Sequence, residues 1–473
     1  MRAVYRVAEV RSAEERLMRE LPPGTLMQRA AFGLARRCAL TLSPVYGSRV
    51  LLLVGSGNNG GDTLYAGALL ARRGAVVNAV LVGSKVHLEG LTAFRSAGGL
   101  VVQEVPEQAD LVVDGLVGIG ASGPLGAAAA SLIQQLPEAP VIAVDVPSGV
   151  EVDTGDVPGA ALRADVTVAF GCLKPAHVIG AAVPYAGQVE LVDIGLEPYL
   201  AGGPALMVAD APDIAGWWPK PGPESDKYSR GVVGLATGSD AYPGAALLSV
   251  SGAVAGPAGL IRYAGSAYPL VAERFPSSVV TLRVADALRV QAWVCGCGLG
   301  TGMEAQAELR SVLASPVPVI IDADAITMLV DGTMSHALRG RDAPTILTPH
   351  DREYTRLAGE TPGPDRVAAA LKLAAWTKSV VVLKGHRTVV AAPNGEAWVN
   401  PTGSPALATG GTGDVLAGLM GSLLAAGVPP VRAAVMATYV HGQAGREAAR
   451  QGPVTAVEVA AALRPVIADI QHA

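Results

Sequence analysis

Short apolar runs that end in small or polar turns recur along the chain, and stretches of helical spacing fill the intervals between them. In the first half, Arg49–Val54, residues 76–82, residues 111–113 and Val141–Val144 have the length and apolarity of buried strands. Leu64, Ala68, Leu69 and Arg72 follow a helical pattern between the first two, and residues 91–97 predict a short helix. Residues 1–48 read as helical with polar faces, broken at Pro22-Pro23-Gly24. The second half resumes the alternation at Val232–Ala236, residues 292–298, residues 317–322, residues 345–348 and Val380–Leu383. A helix of small residues is expected through Gly252, Ala253, Gly256 and Gly259, and a hairpin turn at Pro393-Asn394-Gly395. Strands alternating with helices predict parallel sheets, with ligand sites at the strands' C-terminal ends. Between Leu196 and Asp226 the periodicity fails, and Pro198, Pro204, Pro212, Pro219, Pro221 and Pro223 punctuate the gap. The expected organisation is therefore two α/β domains, residues 1–205 and 225–473, joined by a linker at 206–224.

Two glycine-rich turns interrupt this texture. Gly410-Gly411-Thr412-Gly413-Asp414 runs directly into Val415, Leu416, Leu419, Met420, Leu423 and Leu424, one apolar helical face that stops at Gly427, Pro429 and Pro430. A glycine-rich turn feeding a helix N-terminus attracts an anion, typically a phosphate. Asp414 in the first turn can cap the helix or serve as a base, and from this stretch alone the two readings stand level. The second turn, Gly55-x-Gly57-x-x-Gly60, satisfies the dinucleotide fingerprint after a strand. The acid expected about 20 residues on is missing, which disfavours a nicotinamide dehydrogenase. No Gly-x-x-x-x-Gly-Lys-Ser/Thr sequence occurs, so a P-loop NTPase is not supported.

Composition narrows the partners. With 473 residues, half of them hydrophobic, the chain can bury two cores. A formal net charge of −5 offers no basic footprint, so nucleic acid is not expected. The first twenty residues are too charged for a signal peptide. Residues 245–261 and 406–428 approach membrane-spanning length, but glycine and proline interrupt them and the second holds Asp414. A soluble, cytoplasmic protein without a membrane partner is expected. Cys295-Gly-Cys297 has no second pair to complete a zinc site, so Cys38, Cys172, Cys295 and Cys297 are expected to be buried reduced thiols.

The loop Asn58-Asn59-Gly60-Gly61-Asp62 is more polar than a turn requires. Together with Asp114 at one strand end and Asp145-Val-Pro-Ser148-Gly149 at another, it resembles the N-terminal domain of the nicotinamide nucleotide hydrate epimerases, over roughly residues 5–205. The resemblance implies a Rossmann-like three-layer αβα domain in which Asn58, Asn59, Gly60, Gly61 and Asp62 cradle the ligand's phosphates. It implies that Asn59, Asp114 and Ser148 hold a potassium ion, and that Gly118, Ile119, Gly120, Ala121, Ser122, Gly123 and Pro124 line the nucleotide site. Asp145 would contact the reacting nicotinamide end. Thr63 stands where a further glycine is usual, so altered loop geometry is expected.

In the second half, Tyr242-Pro-Gly-Ala245, Thr348-Pro-His350-x-x-Glu353, Lys384-Gly-x-x-Thr388 and Gly410-Gly-Thr-Gly-Asp414 together resemble the ribokinase-like fold. Within it, they resemble the nicotinamide nucleotide hydrate dehydratases over about residues 225–470. This resemblance implies a ribokinase-like αβα domain in which Lys384, Gly385, His386, Arg387, Thr388 and Gly413 bind an adenine nucleotide. Ala253, Gly302, His350 and Asp414 would line the site of the hydrated dinucleotide. The family usually has Pro-Gly after the histidine, where this chain has Asp351-Arg352. Taken together, the halves imply one bifunctional repair enzyme. It would epimerise the R and S forms of NADHX and NADPHX and dehydrate the S form at the expense of ADP, with potassium in the first domain and magnesium in the second. A homo-oligomer is expected. The alternative is a vitamin or sugar kinase of the same fold with a non-catalytic N-terminal binding domain. With a nucleotide for the glycines and a hydroxylated substrate beside it, Asp414 is favoured as base over cap.

Overall fold

The apolar runs become strands whose alternate residues enter cores on opposite faces of a sheet. Val50, Leu52 and Val54 pack with Leu34, Leu64 and Leu70 on one side, while Leu51 and Leu53 pack with Leu116, Ala129 and Leu162 on the other. The computed structural model describes residues 1–472 and divides into two units, the first being Ala3–Leu206. Its seven strands lie in the order Leu100–Val102, Val76–Leu81, Arg49–Val54, Leu111–Gly115, Val141–Val144, Val166–Phe170 and Gln188–Val192. All neighbours are parallel. The chain starts mid-sheet at Arg49–Val54, builds outward, and returns to the other side of that strand at Leu111–Gly115. This reversal opens a crevice at the strands' C-terminal ends, where the polar loops lie. The helices Val7–Glu20 and Thr25–Leu42 occupy the stretch expected as helical, broken around Pro22-Pro23-Gly24.

The second unit runs from Met207 onward and also takes in Met1 and Arg2. Its parallel strands follow the order Val279–Thr281, Leu260–Ala264, Val232–Ala236, Ala292–Cys295, Val319–Ile321, Thr345–Leu347 and Val380–Leu383. The expected hairpin follows: Val389–Ala391 and Ala397–Val399 pair antiparallel around Asn394-Gly395. The segment 206–224, read as a linker, instead carries a strand, Leu206–Val208, whose Met207 pairs with Trp398, and a helix, Ala211–Trp217. Ile214 and Trp218 enter the second unit's core, because the apolar residues between the prolines find a sheet edge to cover. All five tryptophans, Trp217, Trp218, Trp293, Trp376 and Trp398, lie in this unit.

Two helices of the second unit, Pro243–Ala255 and Thr412–Ala425, approach so closely that a Cβ added at Gly418 would lie 1.9 Å from the Ser249 carbonyl oxygen. The glycine-rich helix expected to run through Gly259 ends at Ala255, because Gly256-Pro257 cannot continue it. All four cysteines are free and buried. No helix among the described residues is long and apolar enough to cross a membrane.

Candidate active sites

In the first unit the helix Asn58–Arg72 starts directly after the strand Arg49–Val54. Asn59 in its first turn ties neighbouring strand ends together: Nδ2 donates to the Val144 carbonyl at 2.6 Å and to the Val117 carbonyl at 3.1 Å. Only glycine fits at position 118, because an added Cβ would sit 2.4 Å from Asn59 Oδ1. Asp114, fully buried, accepts from Ser148 Oγ (2.6 Å), the Ser148 N–H (2.8 Å) and the Leu116 N–H (3.3 Å). No cation pairs with Asp114 among the described residues. Burial pushes its carboxyl above the usual range, partly offset by the Ser148 and Leu116 bonds. Asp114 and Ser148 thus meet as a carboxylate and a hydroxyl, and Asn59 joins them through Val117, whose carbonyl accepts from Asn59 Nδ2 and whose N–H donates to Ser148 Oγ at 3.2 Å.

A cavity of about 480 Å³ opens at Asn59, lined also by Asn58, Gly118, Ile119, Gly120 and Ala121 with Arg11 and Glu14, while Asp114, Asp145 and Ser148 lie behind its wall. Ser122, Gly123 and Pro124 lie outside its wall, the Gly123 N–H bonding to the Glu151 carboxylate. Gly60, Gly61 and Asp62 are buried in the helix. Asp62 is its fifth residue and so is no cap; Gly57 holds the N-cap position. Burial, reinforced by Asp145 and Glu14, pushes the Asp62 carboxyl well above the usual range. Thr63, the departure from the usual glycine, fills a tight niche: its hydroxyl donates to the Asn59 carbonyl at 2.6 Å.

Asp145 sits at φ +66°, a left-handed backbone that turns it out of the strand end. Its Oδ1 accepts from Lys174 Nζ at 2.5 Å and the Phe170 N–H at 3.0 Å. Lys174 is almost fully buried and also donates to the Phe170 carbonyl at 2.8 Å. His177 Nδ1 accepts from the Lys174 N–H (3.1 Å), so the other ring nitrogen, Nε2, carries the proton and donates to the Asp145 carbonyl (2.7 Å). Burial and then Lys174 depress the His177 ring to about 4, keeping it neutral. Neither Lys174 nor His177 was identified from the sequence. The available signal was a lysine held between a buried strand and a proline, in Leu173-Lys174-Pro175.

In the second unit three adjacent parallel strands deliver polar residues from their C-terminal ends: Val319–Ile321 leads to Asp322, Thr345–Leu347 to His350, and Val380–Leu383 to Lys384. Lys384 Nζ lies 2.7 Å from Asp322 Oδ1 and 3.7 Å from Glu353 Oε2. Asp414 is the third residue of the helix Thr412–Ala425, behind Gly411 at φ +87°. No side chain caps this helix; the Asp414 N–H bonds the Gly411 carbonyl at 3.1 Å. Burial, then the Asp322 charge, raises the Asp414 carboxyl to about 7 against the opposing pull of Lys384. One oxygen each of Asp322 and Asp414 and the Cys297 sulfur lie within 4.8 Å of one another.

Asp322, Glu353, Lys384 and Asp414 line a cavity of about 1000 Å³, with His350, Gly385, His386, Thr388 and Gly410–Gly413 on its walls. That volume stands at the upper end for ligand pockets. His350 has a second duty as helix cap: Nδ1 accepts from the Arg352 and Glu353 N–H groups, and Glu353 Oε2 accepts from the His350 N–H at 2.8 Å. Asp351, where proline is usual, pairs with Arg366 at 2.9 Å. Three expected site residues are off the wall. Arg387 turns its guanidinium to the Pro401 carbonyl, Ala253 packs against the neighbouring helix near Gly418, and Gly302 opens the helix Met303–Ala314 in solvent. Asp322, visible in the sequence only as a strand-end turn, emerges as the partner of Lys384.

Two family models match the chain, one described as NAD(P)H-hydrate dehydratase over residues 233–465 and one as YjeF-related protein N-terminus over residues 23–176. The bifunctional NAD(P)H-hydrate repair enzyme Nnr of Mycobacterium leprae is 47% identical over 461 residues, 96% of each chain. Among solved structures, an ADP/ATP-dependent NAD(P)H-hydrate dehydratase from Bacillus subtilis, co-crystallized with ATP/Mg2+, matches at 31% identity with a TM-score of 0.50. That match covers 55% of this chain and 97% of the other. A ribokinase-like superfamily protein from Enterococcus faecalis matches at 27% identity and a TM-score of 0.52, over 56% of this chain and 97% of its own.

Proposed function

Because the chain belongs to the bifunctional NAD(P)H-hydrate repair enzymes, we propose that each unit carries one step of that repair. The first interconverts the R and S forms of NAD(P)H hydrate; the second dehydrates the S form at the expense of ADP. The observation that carries the second step is Asp414, a half-buried acid with a proton affinity near neutrality, beside a glycine-rich helix N-terminus in the large cavity. The hydrate's C6 hydroxyl is a poor leaving group. Asp414 takes its proton as the oxygen attacks the terminal phosphoryl of ADP, and AMP departs. N–H groups of the Gly410–Gly413 turn and the helix dipole stabilise the transferring charge. The phosphorylated oxygen then leaves C6 as phosphate, and loss of a C5 proton restores the ring double bond. Lys384, Gly385, His386 and Thr388 hold the nucleotide, and His350 borders the hydrate. Asp322 and Glu353 supply the hard oxygens suited to magnesium, which neutralises phosphate charge when bound.

In the first unit Asn59, Asp114 and Ser148 would hold potassium, which supplies a fixed positive charge for the ligand's phosphates. Asn58–Asp62 and Gly118–Ala121 receive the dinucleotide, and Asp145 acts at its nicotinamide end. The test is turnover of a mixed-epimer hydrate with ADP and magnesium, followed by NADH absorbance and by chromatography of the epimers. Complete recovery is expected from the parent. D414N should abolish recovery while epimerisation continues, and dehydration retained in D414N would remove Asp414 from its role. D145N should clear one epimer only.

A further inference from the structure

We propose that Lys174 and His177 are positioning residues of the epimerase site, clamping Asp145 at both its backbone and its carboxylate so that Oδ2 alone remains to exchange protons with the hydrate. The inference rests on the epimerase reading of the first unit. Oδ1 is saturated by Lys174 Nζ and the Phe170 N–H, while Oδ2 has no protein donor among the described residues. Lys174 is itself fixed, because Nζ also donates to the Phe170 carbonyl and its N–H donates to His177. His177 closes the ring of contacts by donating to the Asp145 carbonyl. A buried ion pair is weak evidence for stability, since apolar residues of similar volume are often as stable there. Here the pair holds an aspartate in a left-handed conformation at the C-terminal end of the strand Val141–Val144, a constraint that serves geometry.

Lys174 is also the cation amid several acids. Glu14 from the helix Val7–Glu20 and Asp62 from the helix Asn58–Arg72 act electrostatically on Asp145 or on the lysine, as does Cys172 behind them. Arg11 offsets Glu14 from its own helix. Inverting C6 requires the C6–O bond to break, with the ring nitrogen's lone pair forming an iminium and a proton passing to the departing oxygen. The same water then adds to the opposite face and returns that proton, so nothing is consumed. An aspartate with one fixed and one free oxygen can pass the proton both ways, and Lys174 keeps Oδ1 out of the exchange.

The test measures kcat and KM of epimerisation for the parent, K174M, K174R and H177Q, with circular dichroism as the check of folding. K174M is expected to lose about tenfold or more in kcat with KM for the hydrate nearly unchanged, within the range of acid–base contributions. K174R, which keeps a cationic donor for Oδ1, should recover part of that loss. H177Q, which keeps the ammonium, should lower kcat severalfold with KM again nearly unchanged, and it carries the test if K174M does not fold. Parent-like kcat in K174M and H177Q would overturn the proposal. So would a loss in K174M that comes with a matching rise in KM or is not rescued by K174R. A parent protein without epimerase activity would instead overturn the reading beneath it.

Discussion

Asp414 and Asp62 are both acids that burial has made reluctant to ionise, and pH exposes each differently. Asp414 must be deprotonated to act as a base, so kcat/KM for dehydration should fall below about pH 7, roughly tenfold per unit. D322N removes the like charge that raises Asp414, and the falling limb should move to lower pH; a limb that stays in place would show that burial alone sets it. For Asp62 the readout is stability. Its folded proton affinity exceeds that of the unfolded chain, so its contribution is fully present below the ordinary carboxylate range of about 4 and is lost as pH rises through the folded value. D62N should therefore melt a few degrees above the parent at alkaline pH and close to it at pH ~4, as read by circular dichroism. Asn59, Asp114, Asp145 and Ser148 were legible because each belongs to a compact motif at a strand end. Lys174 was not, since its partner lies 29 residues back and a lysine before proline reads as an exposed turn. Asp322 and Lys384 are 62 residues apart, and only the order of the parallel sheet, with Thr345–Leu347 between their strands, brings them together.

The helix that carries Asp414 is positioned by a backbone contact, so its tolerance to change is set by volume. At Gly418 any Cβ would collide with the Ser249 carbonyl, and two main chains would have to separate. G418A should cost about 1–3 kcal/mol, the usual range for overpacking, and lower the thermal midpoint by several degrees. Dehydration should suffer with it, because Asp414 lies one turn earlier on the same helix; unchanged melting and turnover would contradict the packing described. The small residues at 252–259 announced such an approach but not the partner. Apolar runs such as Arg49–Val54, Val141–Val144 and Val380–Leu383 were readable, as was the Asn394-Gly395 hairpin, but the buried Val166–Phe170, interrupted by Thr167, was not. Leu260–Ala264 escaped because Arg262 breaks its run, although that arginine is buried. Gln188–Val192 escaped because its edge position leaves Gln188 and Leu191 exposed, which blurs the pattern.

At the scale of the whole molecule, the failure of periodicity after Leu196 located the change of unit, but proline density overstated how much of it was linker. Pro212 opens the helix Ala211–Trp217, where the missing N–H costs nothing, and apolar burial does the rest. Each unit closes its own core, so a ligand of one site should stabilise the unit that holds it. At 100 times its Kd, ADP with magnesium should add about 2.7 kcal/mol to the second unit, or roughly 5–10 °C in its midpoint. The placement of the tryptophans turns this into something visible. Since all five belong to the second unit, tryptophan emission, excited at wavelengths that tyrosine does not absorb, is blind to the first. An emission-detected melt should shift with ADP and ignore D62N, whereas circular dichroism should register both. The chain carries its own optical label on the dehydratase half, and a single unmodified sample can report which half has been touched.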